Sequence, residues 1–172
     1  VVWGIITRHG GTIQVESTLG VGSSFTIRFP ISQEVPAEEK PAPPPRPAPG
    51  TRVLVIDDEP DVRAVVRDLL TEEGYAVIEA VDGAEGLARC DAEPVDLVLA
   101  DVSMPGMSGW EVAAVCRERF PEVPVGFITG WGDQLDPEKL ERHGVRFVLA
   151  KPFVVSDVLR QVAQALQKAE RV

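Results

Sequence analysis

Cysteine, positive charge and long apolar runs are all scarce in this chain of 172 residues. The two cysteines, Cys90 and Cys116, lack the CxxC or histidine spacing of a zinc site and are too few for a disulfide scaffold. We therefore expect both to be small buried hydrophobes within helices, in a reduced, cytoplasmic protein. No apolar stretch approaches the ~20 residues that span a bilayer, so we expect no membrane contact by this segment.

The deficit of positive charge limits the partners. There are 17 Lys and Arg against 27 Asp and Glu, which gives a net charge of -10 and a pI near 4.7. Sequence-independent binding to nucleic acid or an anionic membrane requires an excess of Lys and Arg on one surface, so we expect neither. The hydrophobic content of 44% and the length suffice for one well-buried domain plus extra material.

A proline-rich stretch at 32–50 divides the chain. It holds seven of the fifteen prolines and almost no large apolar side chains. Such a segment cannot bury enough surface to offset its ordering entropy, so we expect an extended linker between segments 1–31 and 51–172. The prolines around Arg46 also fit an SH3-type ligand, although a spacer is the commoner role of such segments.

Beyond residue 50, strand-like and helix-like patterns alternate regularly. An apolar run at 52–57 predicts a buried strand, and apolar residues at helical spacing predict a helix over 59–73 that Gly74 ends. The remaining predicted strands are 75–80, 95–100, 123–129 and 145–150, and the remaining helices are 84–92, 108–119, 134–143 and one from Ser156 onward. Five strands alternating with five helices predict a parallel sheet covered on both faces.

Before the linker, the pattern changes. Residues 1–9 are compatible with a helix end closed by two glycines, and 12–17 and 24–29 predict two strands of a hairpin. Thirty residues of this kind cannot make a core alone. The GVGS stretch between the strands is not followed by a lysine, so a turn is favoured over a phosphate-binding loop.

Polar side chains stand where the predicted strands end, at Asp57, Asp58, Asp101, Thr129 and Lys151. Because the carboxyl ends of parallel strands share one edge of a sheet, we expect these side chains to converge on one pocket. Three acids, a hydroxyl and an amine suit the binding of a divalent cation and the transfer of a phosphoryl group to a carboxylate. Asp101 is expected to be exposed and free to act as the nucleophile.

The charges in this pocket indicate how its members would work. Neighbouring carboxylates repel one another unless a cation lies among them, and Mg²⁺ suits them because it keeps waters and phosphate oxygens as its other ligands. Lys151 can neutralise phosphoryl charge, and the Thr129 hydroxyl can donate a hydrogen bond to it. Taken singly, Asp58 could be a helix cap, Asp101 a turn former, Thr129 an ordinary strand end and Lys151 an exposed amine. Their joint placement favours function.

Residues 52 to about 168 resemble the receiver domain of two-component signalling. The matching stretches are VLVIDDEPDVR, DLVLADVSMPGMSGWEV, FITG and LAKPF. The resemblance implies a flavodoxin-like, doubly wound five-stranded parallel sheet of order 2-1-3-4-5. It also implies a phosphorelay in which a histidine-kinase core or a histidine phosphotransfer protein donates the phosphoryl group, with docking on the 132–150 and 156–168 elements.

The same resemblance implies a role for each strand-end residue. Asp101 would accept the phosphoryl group from phosphohistidine, Thr129 would be the switch hydroxyl, and Lys151 would sense the phosphate. The implied Mg²⁺ ligands are Asp57 through a bound water, Asp58, Asp101 and the Ser103 carbonyl.

Val148 and Trp131 are two further positions that bear on the pocket. Receiver domains often carry an aromatic residue three positions before the lysine, and Val148 stands there instead. Phe147 cannot replace it, because neighbouring strand residues point to opposite faces. We therefore expect the switch to rely more on the 132–150 backbone than on the usual coupling of threonine and aromatic residue. Trp131 is bulky and close to Thr129 in sequence, and we hypothesise that it shields a phosphoaspartate from water.

The first thirty residues resemble the last helix and hairpin of a histidine-kinase ATP-binding domain, an α/β sandwich, in VVWGIITRHGGTIQVES and GVGSSFTIRFP. The order of kinase end, proline linker and receiver is that of a hybrid histidine kinase. The nucleotide-binding motifs of that family are absent, so we expect no ATP binding. The segment would catalyse only its own aspartyl phosphorylation and dephosphorylation, as a monomer or weak dimer.

Three rival functions follow from the same pattern. A flavin-binding module of this topology needs a Ser, Thr or Gly-rich loop after the first strand, and the acids at 57–59 would repel the flavin phosphate. An aspartate-based phosphohydrolase ordinarily has a DxD arrangement at that strand end, which is lacking. The third alternative is a receiver-like protein-interaction module that is never phosphorylated, and the intact set of acids argues against it.

Overall fold

The computed structural model describes residues 2–30, 47–130 and 135–169. The chain divides into two compact units, residues 1–42 and 43–172. Most of the proline-rich stretch, including Arg46 of the possible SH3 ligand, lies outside the described residues, as does Trp131. In the described ranges, no helix combines the length and the apolar character needed to cross a membrane.

The first unit contains a short helix and a hairpin. Helix α1 (Val2–Arg8) precedes the antiparallel strands β1 (Thr12–Thr18) and β2 (Gly22–Arg28). Directly opposed residues share one face of a hairpin, and here Ile13 faces Ile27 while Val15 faces Phe25. This apolar face is largely uncovered within the unit, because Val15 is 56% and Phe25 65% exposed.

The second unit is the predicted parallel sheet. Its elements are β3 (Arg52–Ile56), α2 (Pro60–Glu72), β4 (Ala76–Ala80), α3 (Gly83–Ala92), β5 (Leu97–Asp101), α4 (Gly109–Arg119), β6 (Val125–Thr129), α5 (Pro137–Arg142), β7 (Val145–Ala150) and α6 (Val155–Ala169). All four strand pairings are parallel, in the order β4-β3-β5-β6-β7. This is the predicted order 2-1-3-4-5, and the five-stranded fold is confirmed.

Alternating residues of the central strands supply two separate cores. Val53 and Val55 of β3 pack on one face of the sheet with apolar residues of α2 and α6. Leu54 and Ile56 pack on the other face with apolar residues of α3 and α4. Because both faces are covered, β3 is apolar from Val53 to Ile56 and β5 from Leu97 to Ala100 rather than alternating, as expected for a buried parallel sheet.

Strand β7 separates Phe147 from Val148 as the sequence predicted. Phe147 belongs to the core on the α2 and α6 face, whereas Val148 packs against the core on the α3 and α4 face. The Phe147 ring lies over Gly126 of β6, where an added Cβ would come within 2.7 Å of ring atom Cε2. The ring is therefore fixed on the face of the sheet opposite to Val148.

The start of α2 differs from one interpretation of the sequence. Asp58 was a candidate cap, but the N-cap residue is Glu59, whose own side chain makes no capping hydrogen bond. Instead, the Glu59 backbone N–H donates to Asp57 Oδ1 at 2.9 Å. Asp58 is thus left exposed beside the pocket. The helix ends as predicted, with Gly74 in the left-handed conformation at φ 94°.

Candidate functional site

The strand ends are level at the carboxyl edge of the sheet. Ile56, which precedes Asp57, pairs with Ala100, which precedes Asp101. Asp101 in turn pairs with Ile128, and Thr129 pairs with Ala150. Parallel register therefore brings Asp57, Asp101 and Thr129 to one edge, next to Lys151.

The Lys151 ammonium lies among three carboxylates that come from two parts of the chain, the loop after β3 and the end of β5. Its Nζ is 2.9 Å from Asp57 Oδ2, 3.0 Å from Asp101 Oδ1 and 3.1 Å from Glu59 Oε1. The backbone also holds this residue, because the Lys151 N–H donates to the Thr129 carbonyl at 2.7 Å and the bond to Pro152 is cis. One positive charge thus neutralises three negative ones only in part.

Asp101 is buried, and the expectation that it would be exposed was wrong. Only 6% of its surface is accessible, although it ends β5. A buried carboxylate requires polar partners, and Asp101 has them. Oδ2 accepts the Ser103 N–H at 2.6 Å, and Oδ1 is ion-paired with Lys151.

Burial dominates the electrostatics of Asp57. The residue has no accessible surface, and this desolvation raises the pKa of its carboxyl group above the ordinary value of 3.8, despite hydrogen bonds from Lys151 and Glu59 that lower it. Lys151 shows the opposite balance. Burial lowers the pKa of its ammonium, but hydrogen bonds to Asp57, Asp101 and Glu59 outweigh burial and raise the pKa overall.

The raised pKa of Asp57 predicts a stabilising substitution. The folded state binds the Asp57 proton more tightly than the unfolded chain, so stability is lost as pH rises through the folded-state pKa. In metal-free buffer at pH 7, Asp57→Asn should raise the free energy of unfolding by about 1 kcal/mol, on the usual scale of single substitutions. The gain should vanish below pH 3.8, where Asp57 is protonated in both states.

Urea denaturation across this pH range measures the effect. Asp58→Asn is the matched control, because Asp58 is exposed and its substitution should change stability by less than about 0.5 kcal/mol. If the Asp57→Asn protein and the unaltered chain were equally stable at pH 7, desolvation of the Asp57 carboxylate would not be destabilising the fold.

The other predicted site residues take different positions. Thr129 ends β6 and is almost fully buried, at 1% exposure. Asp58 and Ser103 are exposed, on the two loops that flank the buried carboxylates. In the described part of the chain, no group of three or more His, Cys, Asp or Glu side chains is arranged so that it could hold a metal ion without rearrangement.

The donor set nevertheless fits a hard divalent cation. Asp57, Asp101 and Glu59 contribute three carboxylates around a single ammonium, so the pocket retains an excess of negative charge. The other residues predicted for the pocket, Asp58, Ser103 and Thr129, also offer oxygens, and none of these three carries a thiol or an imidazole. Mg²⁺ prefers such ligands and needs only one or two carboxylates, with water completing its shell.

Glu59 is the member of the pocket that sequence reasoning missed. It lies directly after the two strand-end aspartates and reaches Lys151, although 64% of its side chain remains exposed. A run of three acids at the end of β3 was the available signal. From the sequence, these acids were interpreted only as a feature that would repel a flavin phosphate. The sequence alone cannot show which of the three acids turns toward Lys151.

Comparison with known proteins adds independent information. A family model described as the response regulator receiver domain matches residues 53–163. The sensor protein EvgS of Escherichia coli K12 is 32% identical over 96% of this chain, and the transcriptional regulatory protein ResD of Bacillus subtilis is 33% identical over 70% of it. The chain spans 14% of the length of EvgS and half that of ResD.

Solved structures show the same fold. The response regulator protein TrrA from Thermotoga maritima, crystallised in complex with Mg²⁺ and BeF, superposes with a TM-score of 0.63 at 30% identity. The superposition covers 67% of this chain and 99% of TrrA. The similarity therefore concerns the second unit, where the carboxylates and Lys151 lie.

Proposed function

The chain belongs to the response regulator receiver domain family of two-component systems, and on that premise we propose that Asp101 accepts a phosphoryl group from phosphohistidine. The single observation that supports this most strongly is the shared ammonium of Lys151, 2.9 Å from Asp57 and 3.0 Å from Asp101. This ammonium, which follows β7, contacts carboxylates at the ends of β3 and β5. The pocket therefore contains a buried nucleophile together with positive and negative charges. The receiver domain would then be residues 51–172, within the second unit.

Asp101 is suited to act as the nucleophile. Its Oδ2 is held by the Ser103 N–H and its Oδ1 by Lys151, so the carboxylate is fixed in orientation. A carboxylate oxygen attacks phosphorus, the bond from phosphorus to the donor nitrogen breaks, and its electron pair returns to the donor imidazole. The product is an acyl phosphate on Asp101.

The neighbouring residues stabilise the charge that develops. Lys151 can transfer an ammonium hydrogen bond from Asp101 to a phosphoryl oxygen, and Thr129 can turn its hydroxyl toward the same group. We propose that Asp57, Asp58, Asp101 and the Ser103 carbonyl hold Mg²⁺, with Asp57 acting through water. When bound, the cation neutralises phosphoryl oxygens during transfer.

We also propose that residues 1–31 are the end of a histidine-kinase ATP-binding domain, joined by the linker 32–50. Two observations support this. EvgS aligns over 96% of this chain, beyond the receiver itself, and the hairpin of the first unit leaves Val15 and Phe25 largely exposed. An apolar hairpin face of this kind requires a covering layer, which the rest of a kinase domain would supply.

A phosphorelay partner follows from these assignments. The phosphoryl donor would be a histidine-kinase core or a histidine phosphotransfer protein, and the readout would use the 132–168 face. Helix α5 on that face has no buried residue, so few apolar contacts resist its displacement. A cytoplasmic location and a monomer or weak dimer complete the proposal.

Incubation of the chain with acetyl phosphate tests the proposed function. With Mg²⁺ present, intact mass should show one phosphate-sized addition that is stable in acid, is lost in base and does not form with excess chelator. Peptide mapping should place the group on Asp101. A folded protein that binds Mg²⁺ but gains no mass would instead favour the rival function of a phosphorylation-independent interaction module.

A further inference from the structure

Arg63 carries a mostly enclosed positive charge that the proposed phosphoryl transfer does not use. It lies near the start of α2, and only 14% of its side chain is exposed. Its Nη1 donates to the backbone carbonyl of Asp57 at 2.6 Å. Hydrogen bonds from an ionised donor are shorter and stronger than those between neutral groups. Arg63 therefore holds the backbone where β3 ends and the acidic loop, residues 57–59, begins.

Glu79 of β4 holds the other side of the Arg63 guanidinium. Arg63 Nε is 3.8 Å from Glu79 Oε1, and Arg67 Nη1 is 3.2 Å from Glu79 Oε2. The sheet in turn fixes Glu79, whose backbone is paired with Val55 of β3. A planar guanidinium donates in several fixed directions at once, so it can connect Glu79 to the Asp57 carbonyl in a single orientation.

The backbone of Asp57 is held on both sides. Its N–H donates to the Ala80 carbonyl of β4 at 3.3 Å, and its carbonyl accepts from Arg63. That carbonyl belongs to the planar peptide unit that leads into Asp58, so its orientation sets the direction in which Asp58 leaves the strand. Asp58 is exposed, and its position therefore depends mainly on the backbone that carries it.

We propose that Arg63 is a positioning residue of the site, which holds the Asp57–Asp58 peptide so that Asp58 is turned toward a divalent cation. This role rests on the Mg²⁺ ligands of the proposed function, and Arg63 itself would not touch the cation. An arginine that orders the acidic loop beforehand reduces the entropy lost when the cation binds. Side chains that hold metal ligands in place typically change metal affinity by about 10-fold to 100-fold.

The charge of Arg63 and its hydrogen bond have opposite effects on a bound cation. A positive charge beside the acidic loop repels Mg²⁺. If Arg63 acted through its charge alone, its removal would strengthen Mg²⁺ binding. If it acts by holding the Asp57 carbonyl, its removal weakens that binding. The sign of the change in affinity therefore distinguishes the two roles.

Calorimetric titration of the Arg63→Met protein with Mg²⁺ tests the positioning role. Methionine retains an unbranched apolar stem but cannot donate to the Asp57 carbonyl. We expect the Kd for Mg²⁺ to rise about 10-fold. In metal-free buffer, the Glu59 N–H, which donates to Asp57 Oδ1, should exchange with deuterium about 10-fold faster, as expected for loss of one charge-assisted hydrogen bond. This second readout needs neither the cation nor phosphorylation.

Arg67→Met is the matched control. Arg67 lies one turn further along α2 and shares Glu79, but its contacts are with Asp68 and Glu79 rather than with the acidic loop. Its removal should leave the Kd for Mg²⁺ as in the unaltered chain. Arg63→Lys is a second variant that keeps the charge but loses the planar fork, so its Kd should lie between those of Arg63→Met and the unaltered chain.

Circular dichroism establishes that each variant is folded, and Arg63→Lys decides the question if Arg63→Met unfolds. An unchanged or lower Kd after substitution of Arg63 would overturn the proposal, and so would an equal rise in Arg67→Met. Neither outcome affects the proposed phosphoacceptor, because phosphate incorporation is measured on the unaltered chain. If that chain gained no phosphate, amide exchange and Mg²⁺ affinity would still decide the role of Arg63.

Discussion

Asp101→Asn should abolish phosphoryl incorporation from acetyl phosphate, with a loss of at least about 10³-fold, as for removal of other nucleophiles. An amide oxygen carries no full negative charge and forms no stable acyl phosphate. The substitution retains the shape of the side chain and an oxygen that can accept the Ser103 N–H, now 2.6 Å from Oδ2. The fold should therefore persist, and intact mass in the presence of Mg²⁺ measures the loss.

Asp68→Asn is the matched control for this substitution. Asp68 is exposed on α2 and pairs with Arg67, so the same chemical change there should leave phosphorylation unaltered. If Asp101→Asn still gained one Mg²⁺-dependent phosphate, a different carboxylate would be the acceptor. Asp57 and Asp58 would then become the candidates, because they lie at the end of the adjacent strand.

Lys151→Met should slow phosphorylation about 10²-fold, as when one charge-stabilising donor is removed from an active site. The ammonium faces Asp57, Asp101 and Glu59, and it is the group that can move onto a phosphoryl oxygen. Its removal also leaves three carboxylates without their shared counter-charge. Mg²⁺ should therefore bind at least as tightly as before, while the rate of phosphorylation falls.

The combination of slower phosphorylation and undiminished Mg²⁺ binding distinguishes lost catalysis from lost structure. The rate comes from a time course of intact mass, and Mg²⁺ affinity from a titration of tryptophan fluorescence or from calorimetry. Lys139→Met is the matched control: Lys139 lies on α5, 4.1 Å from the centre of the Trp110 ring, and does not contact the carboxylates. A parallel loss of Mg²⁺ binding in Lys151→Met would argue that the lysine only supports the fold.

Local patterns in the sequence were sufficient for the architecture of the second unit. The spacing of apolar residues gave five strands and five helices because each pattern reflects contacts between near neighbours. Element ends moved by one to three residues, as with the helix predicted at 134–143 and found at Pro137–Arg142. The polar residues at the strand ends were also correctly predicted to share one edge of the sheet, because the carboxyl ends of parallel strands always meet there.

Burial at the strand ends was harder to predict, as Asp101 illustrates. Asp101 was expected to be exposed because it ends a strand, but it is buried, and the Ser103 N–H of the loop after β5 donates to its carboxylate. Cys116 lies in the core and Cys90 packs against it, as expected of small hydrophobes within helices. The error at Asp101 concerns a contact between segments rather than a pattern within one.

The sequence by itself therefore determined the order of elements, the parallel sheet and the edge at which its polar residues gather. Only the tertiary structure decided how the charges are balanced there. Lys151 contacts Asp57, Glu59 and Asp101, and more than ninety positions of the sequence separate it from Asp57 and Glu59. The physical reason is that periodicity reports which face a residue occupies, whereas electrostatic energy depends on distance and exposure to water. Those two quantities exist only once distant segments have packed.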